Sequence, residues 1–174
     1  MKIIVRWRLN TIIYLLTIFI LSIPLFADTT AITNGLSWLT STQNSDGSFG
    51  ITKTSILDTT NVLATLSLLL PTSTSYLTGV TWLSFQTATS TDFLARQIIS
   101  LSSVGVGITS DLTNLLGIEN IDNGWGGDIS ATSMIIDTTL ALDALNAVNY
   151  SNQATISNAV LYLVTNRIQN RIFR

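Results

Sequence analysis

The chain has 174 residues, 47% of them hydrophobic and only 10% charged, with eight bases against ten acids and a formal net charge of −2. Soluble domains carry about 25% charged residues, so a disordered tail, a charged coiled coil and a nucleic-acid binder are excluded, since each needs charge for solvation or for phosphate. With neither cysteine nor histidine, the chain cannot build a disulfide framework, a Cys/His zinc site, a haem ligand pair, or a Ser-His-Asp or Cys-His triad.

In chain order, Lys2, Arg6 and Arg8 precede an uncharged run over residues 11–26, and the small residue Ala27 follows. This layout predicts a secretory signal peptide over residues 1–27. The apolar run falls short of the roughly 20 residues that span a bilayer, so membrane attachment is expected only through an uncleaved leader. A secreted, periplasmic or cell-surface protein follows. Residues 28–174 amount to one domain. Their bases are Lys53, Arg96, Arg167, Arg171 and Arg174, three of them at the C-terminal end, and all ten acids lie here. Such an acidic body suits neither nucleic acid nor acidic lipid.

From Asp28 onward the sequence repeats. Ile32, Leu36 and Leu39 fall at i, i+4 and i+7, one face of a helix, and Ile108, Leu112, Leu115 and Ile156, Val160, Leu163 restate the spacing. After the first of these helices comes Gln43-Asn44-Ser45-Asp46-Gly47-Ser48-Phe49-Gly50, matched without a gap by Glu119-Asn120-Ile121-Asp122-Asn123-Gly124-Trp125-Gly126. Asp46-Gly47 and Asn123-Gly124 supply residues that tolerate positive φ and reverse the chain. Second helices are predicted over about 55–70, 91–103 and 132–148. Their apolar residues, such as Val62, Leu63, Leu66, Leu69 and Leu70 or Ile135, Ile136, Leu140, Leu142 and Leu145, cover a wider arc and predict burial on more sides. Thr54 and Ser133 align as N-caps, which puts Asp58 and Asp137 in first turns where the dipole favours a carboxylate. The middle unit lacks the Asp-Gly but keeps Gln86 and Thr91-Asp92-Phe93-Leu94-Ala95, and Gly105 and Gly107 break the pattern before the third unit. Gly35-Leu36-Ser37-Trp38-Leu39, Gly79-Val80-Thr81-Trp82-Leu83 and, more loosely, Ala159-Val160-Leu161-Tyr162-Leu163 align across the first helices. The unit is thus a helix, a Gly-rich turn and a second helix, present about three and a half times.

Trp38-Leu39 followed by Gln43-Asn44-x-Asp46-Gly47-x-Phe49-Gly50, and Asn120-x-Asp122-Asn123-Gly124-Trp125-Gly126, resemble the repeat of the α/α toroids. This superfamily includes squalene and other terpene cyclases and the protein prenyltransferase β subunits, with thioester domains and cobalamin carriers as relatives. The resemblance covers roughly residues 31–170 and implies an all-α fold, a partial α/α toroid of helical hairpins in which the second helices line the inside. It implies little chemistry. Class II cyclases use an Asp-x-Asp-Asp acid, prenyltransferases a zinc held by Asp, Cys and His, and thioester domains a Cys; none of these sets exists in this chain. Residues 154–166 restate a first helix with no further turn before Arg174, so the sequence reads as a piece of a longer ring.

No catalytic, cofactor-binding or metal-ligating residue is assigned, and no cofactor is expected. Three residues are candidates for lining a cavity: Asp58 and Asp137, as a carboxylate pair or as helix-start acids, and Trp125, which with Trp38, Trp82 and Phe49 would either line a ligand site or pack between hairpins. Asn44, Asp46 and Ser48, with Asn120, Asp122 and Asp128, fit an Asx-stabilised turn better than a calcium loop, whose spacing they lack. Asn149-Tyr150-Ser151 is a formal glycosylation sequon. The expected function is an exported noncatalytic repeat module, a scaffold or ligand-binding surface with an unidentified ligand or protein partner. The alternative is a portion of a terpene-cyclase-like or carbohydrate-active enzyme whose catalytic residues lie elsewhere.

Overall fold

The structure of the chain, a computed structural model, describes residues 29–172. The leader predicted over residues 1–27 lies outside them. Seven α-helices and no strand occur among the described residues: α1 Thr29–Ser41, α2 Ser55–Leu69, α3 Thr74–Ser84, α4 Thr91–Ser102, α5 Ile108–Gly117, α6 Ile135–Ala147 and α7 Gln153–Ile172. The fold is all-α. None of these helices is long and apolar enough to cross a membrane.

Two compact units divide at Ser37/Trp38, within α1. In the first, the described residues are the opening turns of α1, where the Thr33 hydroxyl donates to the Thr29 carbonyl at 2.7 Å. Ile32 is exposed and α1 contributes no buried residue, so its predicted core face is not buried.

In the second unit, α2, α4 and α6 form a row in that order, with the α4–α6 contact the most extensive; α3 packs on α2 and α4, α5 on α4, and α7 on α6. Periodicity explains the row's core. Leu94, Ala95 and Ile98 of α4 meet Ala141, Ala144 and Leu145 of α6, with Leu115 of α5 and Ala159 of α7 closing the cluster. The alanines let the helix axes approach, and each fully buried leucine or isoleucine contributes about 1.5–3 kcal/mol of transfer free energy. The three helices begin on one edge of the row. Arg96 in the second turn of α4 donates to Asn61 of α2, and the N–H of Thr91, the first residue of α4, donates to the Gly127 carbonyl in the loop leading to α6.

Several local expectations need correction. Thr54 precedes α2, but its hydroxyl donates to Asp58 Oδ2 at 2.5 Å and accepts no backbone N–H. Ser133 lies outside α6, whose N-cap is Met134, and its hydroxyl donates to Asp122 Oδ1 at 2.6 Å. In both places the hydroxyl donates to a nearby carboxylate, and that bond sets the side chain's orientation. Side-chain caps form instead at Ser73, which accepts from the Tyr76 N–H, at Ser90, which accepts from the Phe93 N–H, and at Asn152, whose Oδ1 accepts from the Ala154 and Thr155 N–H groups. Nor is the wide apolar arc of the second helices buried all round. Leu68 and Leu69 at the end of α2 and Ile135 and Ile136 at the start of α6 are exposed. Asn149, the sequon residue, has φ +52 and stops α6. The Asn149 N–H donates to Asn146 and the Tyr150 N–H to the Leu145 carbonyl, the paired bonds of a Schellman end.

Candidate functional site

The two aligned turns share the same backbone and Asx hydrogen bonds. In the first, the Asn44 N–H donates to the Ser48 carbonyl (2.9 Å) and the Gly47 N–H to the Asn44 carbonyl (3.0 Å); in the second, Asn120 donates to Gly124 (2.9 Å) and Asn123 to Asn120 (2.9 Å). Gly47 (φ +96) and Asn123 (φ +62) hold the equivalent left-handed position, which glycine and asparagine tolerate best. One residue earlier, Asp46 Oδ1 accepts from the Ser48 N–H at 3.0 Å and Asp122 Oδ1 from the Gly124 N–H at 3.1 Å. These are Asx turns, in which the carboxylate replaces a backbone acceptor.

A buried threonine fastens each turn to the helix that follows. The Phe49 N–H donates to Thr59 Oγ1 at 2.8 Å, and the Trp125 N–H to Thr138 Oγ1 at 3.0 Å. In the middle unit the corresponding buried residue of α4, Thr91, donates instead to the Gly126 carbonyl of the second turn, at 2.5 Å. In the sequence these threonines show only as a repeated Asp58-Thr59-Thr60 and Asp137-Thr138-Thr139, and a hydroxyl ahead of an apolar run is a turn-to-helix tether as readily as a cap.

Beside each turn the surface opens into a groove. The first, of about 730 Å³, runs between the turn, the start of α2 and the helices beyond, and its wall includes Asp46, Lys53, Trp82, Gln86 and Phe93. The second, of about 450 Å³, includes Asp122, Ser133, Asn158, Tyr162 and Asn166. Their walls correspond. Trp82 aligns with Tyr162, and four residues on, Gln86 donates to the Trp82 carbonyl and Asn166 to the Tyr162 carbonyl, both at 2.9 Å. The Ser48 hydroxyl, then the Ser48 N–H, hold Asp46 below the usual carboxylate range, with a smaller lowering from the neighbouring Trp82 side chain. Burial and the Asp122 charge push the Tyr162 phenol up, and its hydroxyl donates to the Ser133 carbonyl at 2.7 Å.

The candidates named from sequence are dispersed. Asp58 sits in the first turn of α2, bonded to Thr54 and so close to Gly50 that any Cβ there would collide with its carboxylate. Asp137 sits in the first turn of α6, only 8% exposed. Its carboxyl is raised first by burial and then by the charge of Asp92 on α4. The two aspartates are not brought together as a pair, since they stand on helices separated in the row by α4. Trp125 is 0% exposed in the core, and its indole N–H donates to the Leu115 carbonyl at 2.7 Å, a packing anchor between α5 and α6. Phe49 is likewise buried, whereas Trp38 is exposed and Trp82 half-buried. The side chains of the calcium alternative make hydrogen bonds within and beside the turns. Asn44 turns its NH2 toward Ser48 Oγ and the Gly50 carbonyl, and Asn120 toward the Ala131 carbonyl and Ser133 Oγ, each between 2.9 and 3.0 Å. Among the described residues no three carboxylates converge as metal ligands would.

No protein-family model and no curated protein matches the chain.

Proposed function

We propose that the chain is an exported, noncatalytic module of helical hairpins, similar in plan to the α/α toroids, that serves as a scaffold or ligand-binding surface. One observation carries this reading: the two Gly-rich turns repeat the same backbone, Asx and threonine-tether hydrogen bonds, so the polar side chains that look like chemistry serve first to hold the repeat. Asp46 and Asp122 cap their own turns, Asp58 is bonded to Thr54, and Thr59 and Thr138 tie turn to helix. What remains open is the pair of grooves beside them, lined by fixed polar groups and an aromatic ring, the make-up of a binding surface. The row α2–α4–α6 with a second layer packed on it agrees with a hairpin array, and the leader-like residues 1–27 supply export.

The experiment is expression of the full chain in a secreting host. The exported protein should begin at Asp28. Scanning fluorimetry of that protein against soluble glycans, apolar small molecules and peptides should give a raised melting temperature with at least one class, since a ligand of the native state stabilises it by mass action. Mass spectrometry should recover that ligand unchanged. Conversion of the ligand to product would overturn the reading in favour of an enzyme of the terpene-cyclase-like or carbohydrate-active kind.

A further inference from the structure

The grooves are equivalent, and a single ligand class fits both. Each is bounded by a turn whose aspartate is immobilised by its own Asx bonds. Each has an aromatic side chain from the helix packed against that turn, and one helical turn further on an amide side chain bonded to the aromatic residue's carbonyl. Tyr162 is pinned by its hydroxyl bond to the Ser133 carbonyl, and Trp82 stands half-buried in the wall of its groove. A half-buried ring beside preorganised carboxylate and amide groups suits a ligand with an apolar C–H face and a rim of hydroxyls, and preorganisation lowers the entropy cost of holding it.

Charge narrows the class. The edge of the row that carries the turns holds Asp46, Asp58, Asp92, Asp122 and Asp137 against Lys53 and Arg96, and Arg96 is paired with Asp92 at 2.6 Å. An anionic polymer would be repelled there. Both grooves lie on this edge, because α2, α4 and α6 start on it and the turns immediately precede α2 and α6. Two helix-to-helix steps separate them, about 16–20 Å at ordinary packing distances, a gap that one polymer chain can bridge.

We propose that the two grooves are repeated subsites for a neutral polysaccharide, with Trp82 and Tyr162 each stacking on a sugar ring and Asp46 and Asp122 accepting hydrogen bonds from its hydroxyls. This rests on the binding-surface reading above and names its ligand class. Two tethered subsites gain avidity over either one, so a long chain binds more tightly than an oligosaccharide too short to reach both.

Affinity electrophoresis of the exported chain through gels containing dextran, galactomannan or mixed-linkage β-glucan tests this, with carboxymethylcellulose as the charged counterpart. At least one neutral polymer should retard the protein and carboxymethylcellulose should not. W82A and Y162A should each weaken retardation about tenfold, and the double variant should abolish it. Ser45 and Thr165 line the grooves without entering the turn hydrogen bonds, so S45W and T165W should block them while leaving the melting temperature in place, which separates lost binding from lost folding. The inference is overturned if no neutral polymer retards the chain, or if retardation survives both blocking substitutions or is stronger on carboxymethylcellulose. A melting shift with an apolar or peptide ligand, alongside silence on every polymer, would remove the glycan while leaving the binding-surface reading standing.

Discussion

At the scale of single residues, the repeated threonine carries more of the structure than the repeated aspartate beside it. Thr138 is fully buried and its hydroxyl receives the N–H of Trp125, itself at the centre of the core. Thr138→Val keeps the shape, removes the acceptor and leaves that N–H without a partner. An unsatisfied buried donor costs about 1–3 kcal/mol, so the urea midpoint should fall by a corresponding amount with the slope unchanged. Thr60→Val is the control, because the Thr60 hydroxyl donates only within its own helix, to the Leu57 carbonyl, and no N–H is orphaned. Equal effects from the two substitutions would refute the tether. The turn positions were legible in the sequence because left-handed backbone restricts residue choice to a few types: Asp46-Gly47 and Asn123-Gly124 announce reversals. Within the second pair it is Asn123 that takes positive φ, not Gly124. Gly124 is needed for space, since a Cβ there would meet Ser133 and the Tyr162 ring at 2.7–3.0 Å. The tether was harder to read, because a threonine at a helix start has the same local pattern whether it caps its own helix or receives an N–H from the preceding turn.

At the scale of elements, hydrophobic periodicity placed the second helices closely, predicting about 55–70, 91–103 and 132–148 against Ser55–Leu69, Thr91–Ser102 and Ile135–Ala147. The largest miss is the start of α6, where Ser133 was expected to cap. Its hydroxyl is drawn to Asp122, a partner 11 residues away in sequence, and local patterns do not encode that. Asp137 shows a second conflict between local and tertiary effects. Its place in the first turn of α6 favours a carboxylate, yet burial and then the Asp92 charge raise its pKa above the ordinary aspartate value of 3.8. For a carboxyl raised on folding, the native state binds the proton more tightly than the unfolded chain. Its contribution is therefore fully present below the unfolded pKa and is lost as pH rises through the folded one. Asp137→Asn removes that titration. Stability of the variant relative to wild type should rise as pH increases from about 3.8 through the raised folded value, and level off above it. Urea midpoints collected for both proteins across this range check the sign; a difference that does not vary with pH, or that falls, would remove the desolvation account. Asp46 has the opposite sign, since the Ser48 hydroxyl and N–H lower its pKa, so its contribution is present at neutral pH and lost on acidification.

At the scale of the whole array, the repeat supplies its own internal reference for what a covered helix face looks like. Val80 of α3 and Val160 of α7 occupy aligned positions, yet Val80 is 8% exposed and Val160 45%. The cause is in the packing: α3 is held between α2 and α4, while α7 rests mainly on α6. Leu161 and Val164 are exposed beside Val160, and the i, i+1, i+4 spacing puts the three on one stripe of α7. Ile156, Val160, Tyr162 and Leu163 mark α7 as a restated first helix, but periodicity reports only which face is apolar and says nothing of what lies against it. An uncovered stripe of this kind is a place where apolar dyes and like surfaces gather. The protein should therefore enhance the fluorescence of anilinonaphthalene sulfonate in its native state and show concentration-dependent association by sedimentation. Val160→Thr with Val164→Thr, which keeps side-chain shape while adding two hydroxyls to the stripe, should reduce both signals without lowering the melting temperature, since neither residue is buried. Exposed apolar residues also occur on α2 and α6, at Leu68 and Ile136, so the paired substitution is what locates the effect. Dye binding and association that persist unchanged in the double variant would assign them to the α2–α4–α6 row instead, and a wild-type chain that is monomeric and dye-silent would show that the α7 stripe attracts neither apolar dye nor its own copies.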